Sequence, residues 1–256
     1  MPARPDGEGR SKSIVMEDRP GVVRGTHADA KAVQKMFSAI APRYDLVNHL
    51  LSFNMDRLWW WRAARTFREI LSRPEARALD LCCGTGFMTS ALYKRARGGA
   101  QVVGADFAHP MLRRAATRSE ETRLRWVEAD ALHLPFPDGH FDLVTAAFGF
   151  RNLADYDAGL REMVRVVRAG GECGILDFGE PKGLLGGLYR IYFRRILPSV
   201  GTAISGVKGP YAYLPVSVER FPAPEDVIRQ MRAAGFREAT WTPYTFGVAG
   251  LYRGKK

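Results

Sequence analysis

The run Ala78-Leu79-Asp80-Leu81-Cys82-Cys83-Gly84-Thr85-Gly86 joins a short apolar segment to a pair of glycines. The apolar segment predicts a β-strand, and the residues from Phe87 onward predict a helix. Because Gly84 and Gly86 have no side chain, the backbone between strand and helix can lie directly against a ligand and can adopt positive φ. The stretch therefore predicts a strand, turn and helix that bind a ligand at the turn.

A second apolar run begins at Gln101 and ends at Asp106, about twenty residues beyond the glycines. In a βαβ unit this carboxylate lies at the tip of the second strand, beside the glycine turn, where it can accept both hydroxyls of a ribose. A dinucleotide site would need a third glycine, and Thr89 stands at that position. The implied ligand is a nucleoside without a pyrophosphate, and an ordinary tight turn between strand and helix is the alternative.

Composition limits the class of protein. The 256 residues, 46% of them hydrophobic, suit one large α/β domain with its own core. The 38 basic and 27 acidic residues give a net charge of +11, which indicates an acidic partner such as a nucleic acid, an anionic lipid or a phosphate-bearing ligand. Three cysteines, two of them adjacent, provide neither a disulfide framework nor metal-ligand spacing, so we expect no metal and a reducing, cytoplasmic location.

The chain predicts one domain at residues 30–256 behind a disordered basic tail at residues 1–29. Residues 30–75 predict an N-terminal helical cap, residues 76–181 a cofactor-binding core of alternating strands and helices, and residues 224–256 a final helix and a β-hairpin. Residues 182–223 interrupt this alternation with aromatic side chains interspersed with arginines. That insertion is either a lid over an apolar substrate, resting on an anionic bilayer, or a core helix with solvated arginines.

Some boundaries follow from local signals. A helix is predicted from Tyr156 to Val167, with Gly170-Gly171 as its stop signal, and a fifth strand from Glu172 to Phe178. The two C-terminal strands are predicted at residues 236–241 and 246–252. The three successive tryptophans Trp59 to Trp61 cannot all face the core of one helix. At least one is expected at a rim, a ligand pocket or an interface, which makes a homodimer an expectation as well.

Two further segments are more specific than the glycine turn: Tyr44-Asp45-Leu46-Val47-Asn48 and Phe148-Gly149-Phe150-Arg151-Asn152. With the glycine motif, Asp177-Phe178 and Thr245-Phe246-Gly247-Val248, they resemble the quinone-biosynthesis C-methyltransferases. That family methylates demethylmenaquinol and, in some members, the polyprenyl benzoquinol precursor of ubiquinone. The resemblance implies a Rossmann-like class I methyltransferase of the α/β class, with a seven-stranded, mostly parallel sheet, a C-terminal antiparallel hairpin, N-terminal helices and a helical insertion.

The resemblance also implies S-adenosyl-L-methionine as the cofactor. Ala147 stands where some members of the family have a serine that contacts the cofactor, so that hydrogen bond is absent here. The implied cofactor-binding residues are Asp80 in the first motif, Gly84, Thr85 and Gly86 at the methionine portion, Asp106 at the ribose, and Asp130 with Ala131 at the adenine.

Methylation of a ring carbon requires that a neighbouring quinol hydroxyl lose its proton, so the protein must align the substrate and stabilise a phenolate. The resemblance implies this role for Arg151, just past the fourth predicted strand, either on the phenolate or on a water that takes the proton. A structural ion pair with Asp155 or Asp157 is the alternative for this arginine. Phe148 and Phe150 are expected beside the cofactor sulfonium.

The segment around Tyr44, Asp45 and Asn48 is expected to close the pocket from the N-terminal side. Asp45 either orients the quinol hydroxyl or caps the following helix. His49 is a titratable neighbour, interpreted either as a base or as an ordinary surface or core histidine.

The predicted partners follow from the substrate. A polyprenylated quinol lies in the bilayer, so peripheral contact with the anionic inner face of the cell membrane is expected, and binding of nucleic acid is not. Two alternatives remain: a methyltransferase for RNA or another anionic substrate, and a binding protein that keeps the fold without the chemistry.

Overall fold

The computed structural model describes residues 52–96, 99–119, 121, 123–181, 186, 187, 189, 191–193 and 210–256, together with residues 34, 38, 45 and 49. The predicted tail at residues 1–29, the residues Tyr44 and Asn48, and most of the predicted insertion lie outside the described residues. The proposed limits of the cap, core and insertion therefore stay predictions.

The described residues form one seven-stranded sheet, most of it parallel. Its strands are β1 (Arg77–Leu81), β2 (Gln101–Asp106), β3 (Arg125–Glu128), β4 (Phe141–Ala147), β5 (Val167–Phe178), β6 (Glu238–Tyr244) and β7 (Ala249–Lys255). The helices are α1 (Met55–Thr66), α2 (Arg68–Leu71), α3 (Phe87–Tyr93), α4 (His109–Arg118), α5 (Tyr156–Val166), α6 (Pro210–Arg220) and α7 (Pro224–Ala234). Two short 3₁₀ turns cover Phe150–Asn152 and Thr245–Gly247.

The strand order is β3-β2-β1-β4-β5-β7-β6, and the last two strands run antiparallel to the rest. The order reverses between β1 and β4, which pair side by side at the centre. In an open α/β sheet this reversal leaves a crevice outside the carboxyl ends of the strands, where ligands bind. The α/β class, the mixed seven-stranded sheet and the terminal antiparallel hairpin are all confirmed.

Helices pack against both faces of the sheet and bury them under apolar side chains. One core cluster packs α5 and α7 on one face, through residues such as Leu160, Met163 and Met231. The other packs α1 and α3 on the opposite face, through Trp59 and Leu92. Coverage on both faces explains why β1 and β4 read as continuous apolar runs and not as alternating patterns.

The predicted helix end at Val167 is within one residue of the observed end, but the predicted starts of β5, β6 and β7 are wrong. Helix α5 ends at Val166, because Val167 is already extended (φ −75°, ψ 132°) and starts β5. Gly170, with φ +73°, therefore lies within the strand region, beside a register shift between β4 and β5, and does not end the helix. The hairpin strands begin two to three residues later than predicted, because the turn at Thr245–Gly247 is a 3₁₀ turn with positive φ at Phe246.

The tryptophan expectation is confirmed. Trp59 is buried in the core, Trp60 is half-buried, and 44% of Trp61 is exposed. Among the described residues, none of the helices is long and apolar enough to cross a membrane.

Candidate active site

A cavity of about 950 Å³ lies at the carboxyl ends of the parallel strands. The side of the cavity at β1, β2 and β3 carries the glycine turn and polar groups of the lining, which are the acidic residues at the ends of these strands, with Phe87 and Phe107 beside them. The side at β4 and β5 is lined by aromatic residues, which are Trp59, Phe148, Phe178, Tyr189, Tyr192 and Phe193. One continuous cavity therefore offers a polar half and an aromatic half that meet at the topological switch.

The glycine turn has the backbone that the sequence predicted. Gly84 has φ +54° and Gly86 has φ +79°. The backbone N–H of Gly84 donates to Asp106 Oδ2 at 2.8 Å, and Oδ1 of the same carboxylate accepts from Ala108 N–H at 2.9 Å. Burial raises the pKa of Asp106, and the backbone donors oppose that shift. Asp106 thus lies beside the turn, as expected of a ribose ligand, and it also fixes the turn.

Asp80 is fully buried beneath the turn. Its two oxygens accept from the hydroxyls of Thr89 at 2.6 Å and Thr145 at 2.9 Å, so it joins β1 to α3 and β4. Burial raises the pKa of Asp80 to about 7, although both threonine hydrogen bonds lower it. Thr89, which stands where a dinucleotide site would have its third glycine, therefore provides a hydrogen bond that this buried carboxylate needs.

Asp45 closes the polar half from the N-terminal side. The Thr85 hydroxyl donates to Asp45 Oδ1 at 2.6 Å, and Gln34 Nε2 donates to the Phe107 carbonyl at 2.5 Å, beyond the end of β2. Thr85, Asp45 and Gln34 all line the cavity. The N-terminal cap and the glycine turn are thus joined at the predicted place, whereas Tyr44 and Asn48 lie outside the described residues.

Asp130 and Ala131 follow β3 and line the same half. Asp130 Oδ1 accepts from Leu132 N–H at 2.9 Å, and just over half of its side chain is exposed. Ala131 is buried. The carboxylate that is expected at the adenine is therefore accessible from the cavity.

Arg151 lies in the 3₁₀ turn after β4 and is buried. Its Nη1 is 2.8 Å from Asp177 Oδ1 at the end of β5, and Asp177 Oδ2 accepts from the Arg151 backbone N–H at 3.1 Å. The same guanidinium donates to the Phe148 carbonyl and to Ser217 on α6. The ion-pair partners proposed from the sequence, Asp155 and Asp157, are therefore wrong.

Asp155 caps a helix and does not pair with Arg151. Its carboxylate accepts from Ala158 N–H at 2.9 Å and caps the N-terminus of α5. The partner of Arg151 comes from β5 because β4 and β5 are neighbouring parallel strands whose carboxyl ends lie side by side.

The aromatic half surrounds Trp59. Its indole N–H donates to the Thr245 hydroxyl at 2.8 Å, and its ring lies 5.8 Å from Phe148 and 6.2 Å from Phe178. Phe148 is at the cavity as expected, but Phe150 is not, because it is buried in the core against Tyr156. An aromatic wall of this kind suits a flat, apolar ring.

Strained backbone concentrates at this cavity. In the described ranges, every residue other than glycine with positive φ either lines the cavity or adjoins a residue that does. These residues are Phe53, Asn54, Cys82, Phe148, Thr245 and Phe246. Left-handed backbone at bulky residues costs free energy and clusters where a ligand site requires it.

Two polar atoms in the cavity wall are buried without a partner. Among the described residues, neither Asn152 Oδ1 nor the Tyr189 hydroxyl finds a hydrogen bond, and both residues line the cavity. Unpaired buried polar groups are costly, so a polar ligand is the expected partner. A Cβ added at Gly84 would meet no atom within 4 Å, so this turn leaves room for a ligand against its backbone. The donor set therefore fits a nucleoside at the glycine turn and a hydroxylated ring near Arg151.

Sequence reasoning missed two acidic residues of this site. Asp177 was part of a motif but was given no role; it lies one residue before the end of β5, much as Asp106 ends β2, and that shared position was the available signal. Asp56 in α1 had no such signal; its carboxylate lies 2.6 Å from the ring of His49. Among the described residues, no group of His, Cys, Asp and Glu is arranged to hold a metal ion. All three cysteines are free, and burial raises the pKa of each thiol.

Comparison with known families identifies the chain at this point. The model of the ubiE/COQ5 methyltransferase family matches residues 25–256. The chain belongs to this family. It shares 52% identity over 224 residues with the demethylmenaquinone methyltransferase of Thermus thermophilus, covering 86% of this chain and 100% of that protein. It shares 39% identity over 229 residues with the ubiquinone/menaquinone biosynthesis C-methyltransferase UbiE of Geobacter sulfurreducens, covering 88% of each.

Solved structures agree with this membership at the level of the fold. The SAM-dependent methyltransferase of Thermotoga maritima, described as a possible histamine N-methyltransferase, superimposes with a TM-score of 0.61 over 87% of this chain and 99% of that one. Its identity is 18%, so the comparison supports the class I methyltransferase fold and says nothing of the substrate.

Proposed function

We propose that this member of the ubiE/COQ5 family is an S-adenosylmethionine-dependent C-methyltransferase that converts demethylmenaquinol to menaquinol. The observation that carries the proposal is the single cavity with its polar, glycine-lined half and its aromatic half. A nucleoside and a hydroxylated aromatic ring fit these two halves. The relative from Thermus thermophilus that shares 52% identity bears the name of this reaction.

The polar half is proposed to hold S-adenosylmethionine. Asp106 accepts the ribose hydroxyls, Thr85 and the backbone of Gly84 border the methionine portion, and Asp130 with the backbone of Ala131 binds the adenine edge. When it is bound, the cofactor supplies a methyl group on a positively charged sulfur. Asp80 is proposed to support the turn from beneath, because both of its oxygens are taken by threonine hydroxyls.

The aromatic half is proposed to hold the quinol. Phe148 and Phe178, whose ring centroids are 4.7 Å apart, would contact the flat ring and keep water from it. Arg151 fixes this wall, since it joins the end of β4, the end of β5 and α6. Its fixed positive charge also favours a developing phenolate in a water-poor site. An arginine that is paired and permanently charged is a poor proton acceptor.

C-methylation of 2-methoxy-6-polyprenyl-1,4-benzoquinol is the second candidate reaction. The similarity to a relative named for both quinone pathways favours it. The aromatic wall offers the same apolar surface to a naphthoquinol and to a benzoquinol, so the lining of the cavity favours neither ring.

Methyl transfer from labelled S-adenosylmethionine to each reduced quinone, measured side by side, tests the proposal. We expect methylated naphthoquinol. Product from both quinols would mean that the protein also catalyses the benzoquinol reaction. Product from the benzoquinol alone would mean that the benzoquinol, and not demethylmenaquinol, is the substrate. No product from either quinol would overturn the proposed function. The Gly84→Ala variant is the background control, because its methyl group would occupy the open space against the turn.

We also propose that the protein docks on an anionic membrane, where a polyprenylated quinol resides. Phe53 and Phe246 are 76% and 81% exposed, and both have positive φ. Phe53 lines the cavity, and Phe246 follows Thr245, which also lines it. Exposed Arg57 lies four residues after Phe53, and the whole chain has a net charge of +11. Exposed phenylalanines beside the cavity, with a basic side chain nearby, suit a bilayer surface better than a nucleic acid.

A further inference from the structure

His49 and Asp56 form a buried pair in the cavity wall. Nδ1 of His49 lies 2.6 Å from Asp56 Oδ2, and the exposed fractions of the two side chains are 16% and 6%. Asp56 Oδ1 accepts from the Arg57 backbone N–H at 2.8 Å, so the carboxylate is fixed through both oxygens. Both members of the pair line the cavity.

This arrangement sets the tautomer of the ring. A carboxylate can only accept a hydrogen bond, so in the neutral imidazole Nδ1 carries the proton and Nε2 keeps its lone pair. Among the described residues, Nε2 of His49 has no hydrogen-bond partner. A histidine that is oriented by a carboxylate through one nitrogen, and that keeps a lone pair on the other, has the arrangement of a general base.

The position of the ring is equally specific. The His49 ring lies edge-on to Phe87, at 4.9 Å, and edge-on to Trp60, at 6.0 Å. Phe87 directly follows the glycine turn, and Trp60 contacts Phe148 of the aromatic wall at 6.4 Å. His49 is therefore at the border of the two halves, where a methyl donor and its acceptor must meet.

We propose that His49, oriented by Asp56, is the catalytic base that takes the proton of the quinol hydroxyl. In this step the O–H bond breaks, its electron pair stays on the oxygen, and an N–H bond forms at Nε2. The electron-rich oxygen then activates the neighbouring ring carbon, and no oxidant or reductant is needed. This inference rests on the proposed function, and it separates the base, His49, from the positive charge that stabilises the phenolate, Arg151.

The charges around the ring suit this role. Asp56 stabilises the imidazolium that forms on proton transfer. The guanidinium of Arg118 lies 3.6 Å from the ring centroid of Phe87, which adjoins the His49 ring, and Asp45 accepts a hydrogen bond from Thr85, two residues before Phe87.

Steady-state kinetics of His49→Gln and Asp56→Asn with the quinol that the wild type methylates test this inference. His49→Gln should lower kcat by about a hundredfold or more with little change in KM, because general-base catalysis contributes that much. Asp56→Asn should lower kcat less, because the ring remains but loses its orienting carboxylate. Binding of S-adenosylhomocysteine, followed by calorimetry, should match the wild type in both variants.

Two readouts separate a base from a merely structural residue. Added imidazole should restore part of the turnover of His49→Ala, since the emptied space adjoins Phe87 and Trp60. In ¹⁵N-labelled protein, the His49 ring should carry its proton on Nδ1, and this preference should weaken in Asp56→Asn. His140→Gln is the matched control, because His140 stacks on Phe136 away from the cavity.

The outcomes are distinct. If the wild type methylates a quinol and His49→Gln keeps its kcat within twofold, the base assignment is wrong and the proposed function stands. A loss of turnover in His49→Ala that imidazole does not restore also overturns the assignment. If the wild type methylates neither quinol, the proposed function fails and the base assignment fails with it.

Discussion

Nη1 of Arg151 lies 2.8 Å from Oδ1 of Asp177, and both side chains are buried at the boundary of β4 and β5. The pair joins a 3₁₀ turn to a neighbouring strand end across 26 positions of sequence. Because the same guanidinium also reaches the Phe148 carbonyl and Ser217, it holds the aromatic wall in place.

Asp177→Asn should therefore destabilise the fold strongly. The substitution keeps the shape of the side chain but leaves the buried Arg151 charge uncompensated, which typically costs about 3–5 kcal/mol. Urea unfolding followed by circular dichroism measures the loss. Glu172→Gln is the control, because it breaks the pair of Glu172 with the half-exposed Arg253 at 2.7 Å and should cost about 0–1 kcal/mol. Equal losses of unfolding free energy in the two variants would mean that the buried pair stabilises the fold no more than the half-exposed pair does.

Gly84→Ala should remove most of the affinity for S-adenosylhomocysteine. At φ +54° an alanine is strained by roughly 1–2 kcal/mol, and its methyl group would enter the cavity. Gly170→Ala is the matched control: its φ is +73°, a Cβ there also meets nothing within 4 Å, and it does not line the cavity. Titration calorimetry should find an at least tenfold loss of affinity for S-adenosylhomocysteine in Gly84→Ala and none in Gly170→Ala. The two variants should lose similar amounts of folding stability. Wild-type affinity in Gly84→Ala would place the ligand elsewhere.

Asp80 should make the stability depend on pH. Its pKa is raised to about 7 in the fold, whereas a carboxyl group in the unfolded chain titrates near about 3.9. The folded protein thus keeps a proton that the unfolded chain releases, and this contribution to stability is present below about pH 4 and is lost as the pH rises through about 7. Asn cannot titrate, so the stability of Asp80→Asn relative to the wild type should rise by about 1–3 kcal/mol from pH 5 to pH 8.

Urea unfolding of both proteins at the two pH values measures this difference. Asp138→Asn, at an exposed carboxylate that pairs with Arg165, is the control and should show no such change. A constant difference between Asp80→Asn and the wild type would mean that the buried carboxylate stays ionised throughout.

The glycine turn and the strands around it were predictable because their signals are local. Two glycines, an apolar run and a carboxylate after the next apolar run require no knowledge of distant contacts, and Gly84, Gly86 and Asp106 lie where these signals indicated. Boundaries were less predictable. Val167 leaves the helix three residues before Gly170, because pairing with β4 begins there and outweighs the glycine signal.

Partners that come from distant strands or from side-chain packing were not predictable. Asp155 and Asp157 are near Arg151 in sequence, but Asp177 is its partner because β5 pairs with β4. Asp56 of α1 contacts His49 across seven positions of sequence, and no local spacing rule predicts that contact. Phe150 was expected beside the cofactor sulfonium together with Phe148, yet its ring packs into the core beside Phe221.

Phe53→Ser combined with Phe246→Ser should weaken binding to anionic vesicles. Burial of each exposed ring in a bilayer contributes about 1.5–3 kcal/mol, so the double variant should partition at least tenfold less into phosphatidylglycerol vesicles, and raising the salt concentration should weaken the wild type as well. Trp61→Ser is the control, since Trp61 is exposed between Arg65 and Arg95 and does not line the cavity. Vesicle co-sedimentation measures all three proteins. Equal binding by the double variant and the wild type, or an equal loss in Trp61→Ser, would remove the two phenylalanines from the docking surface.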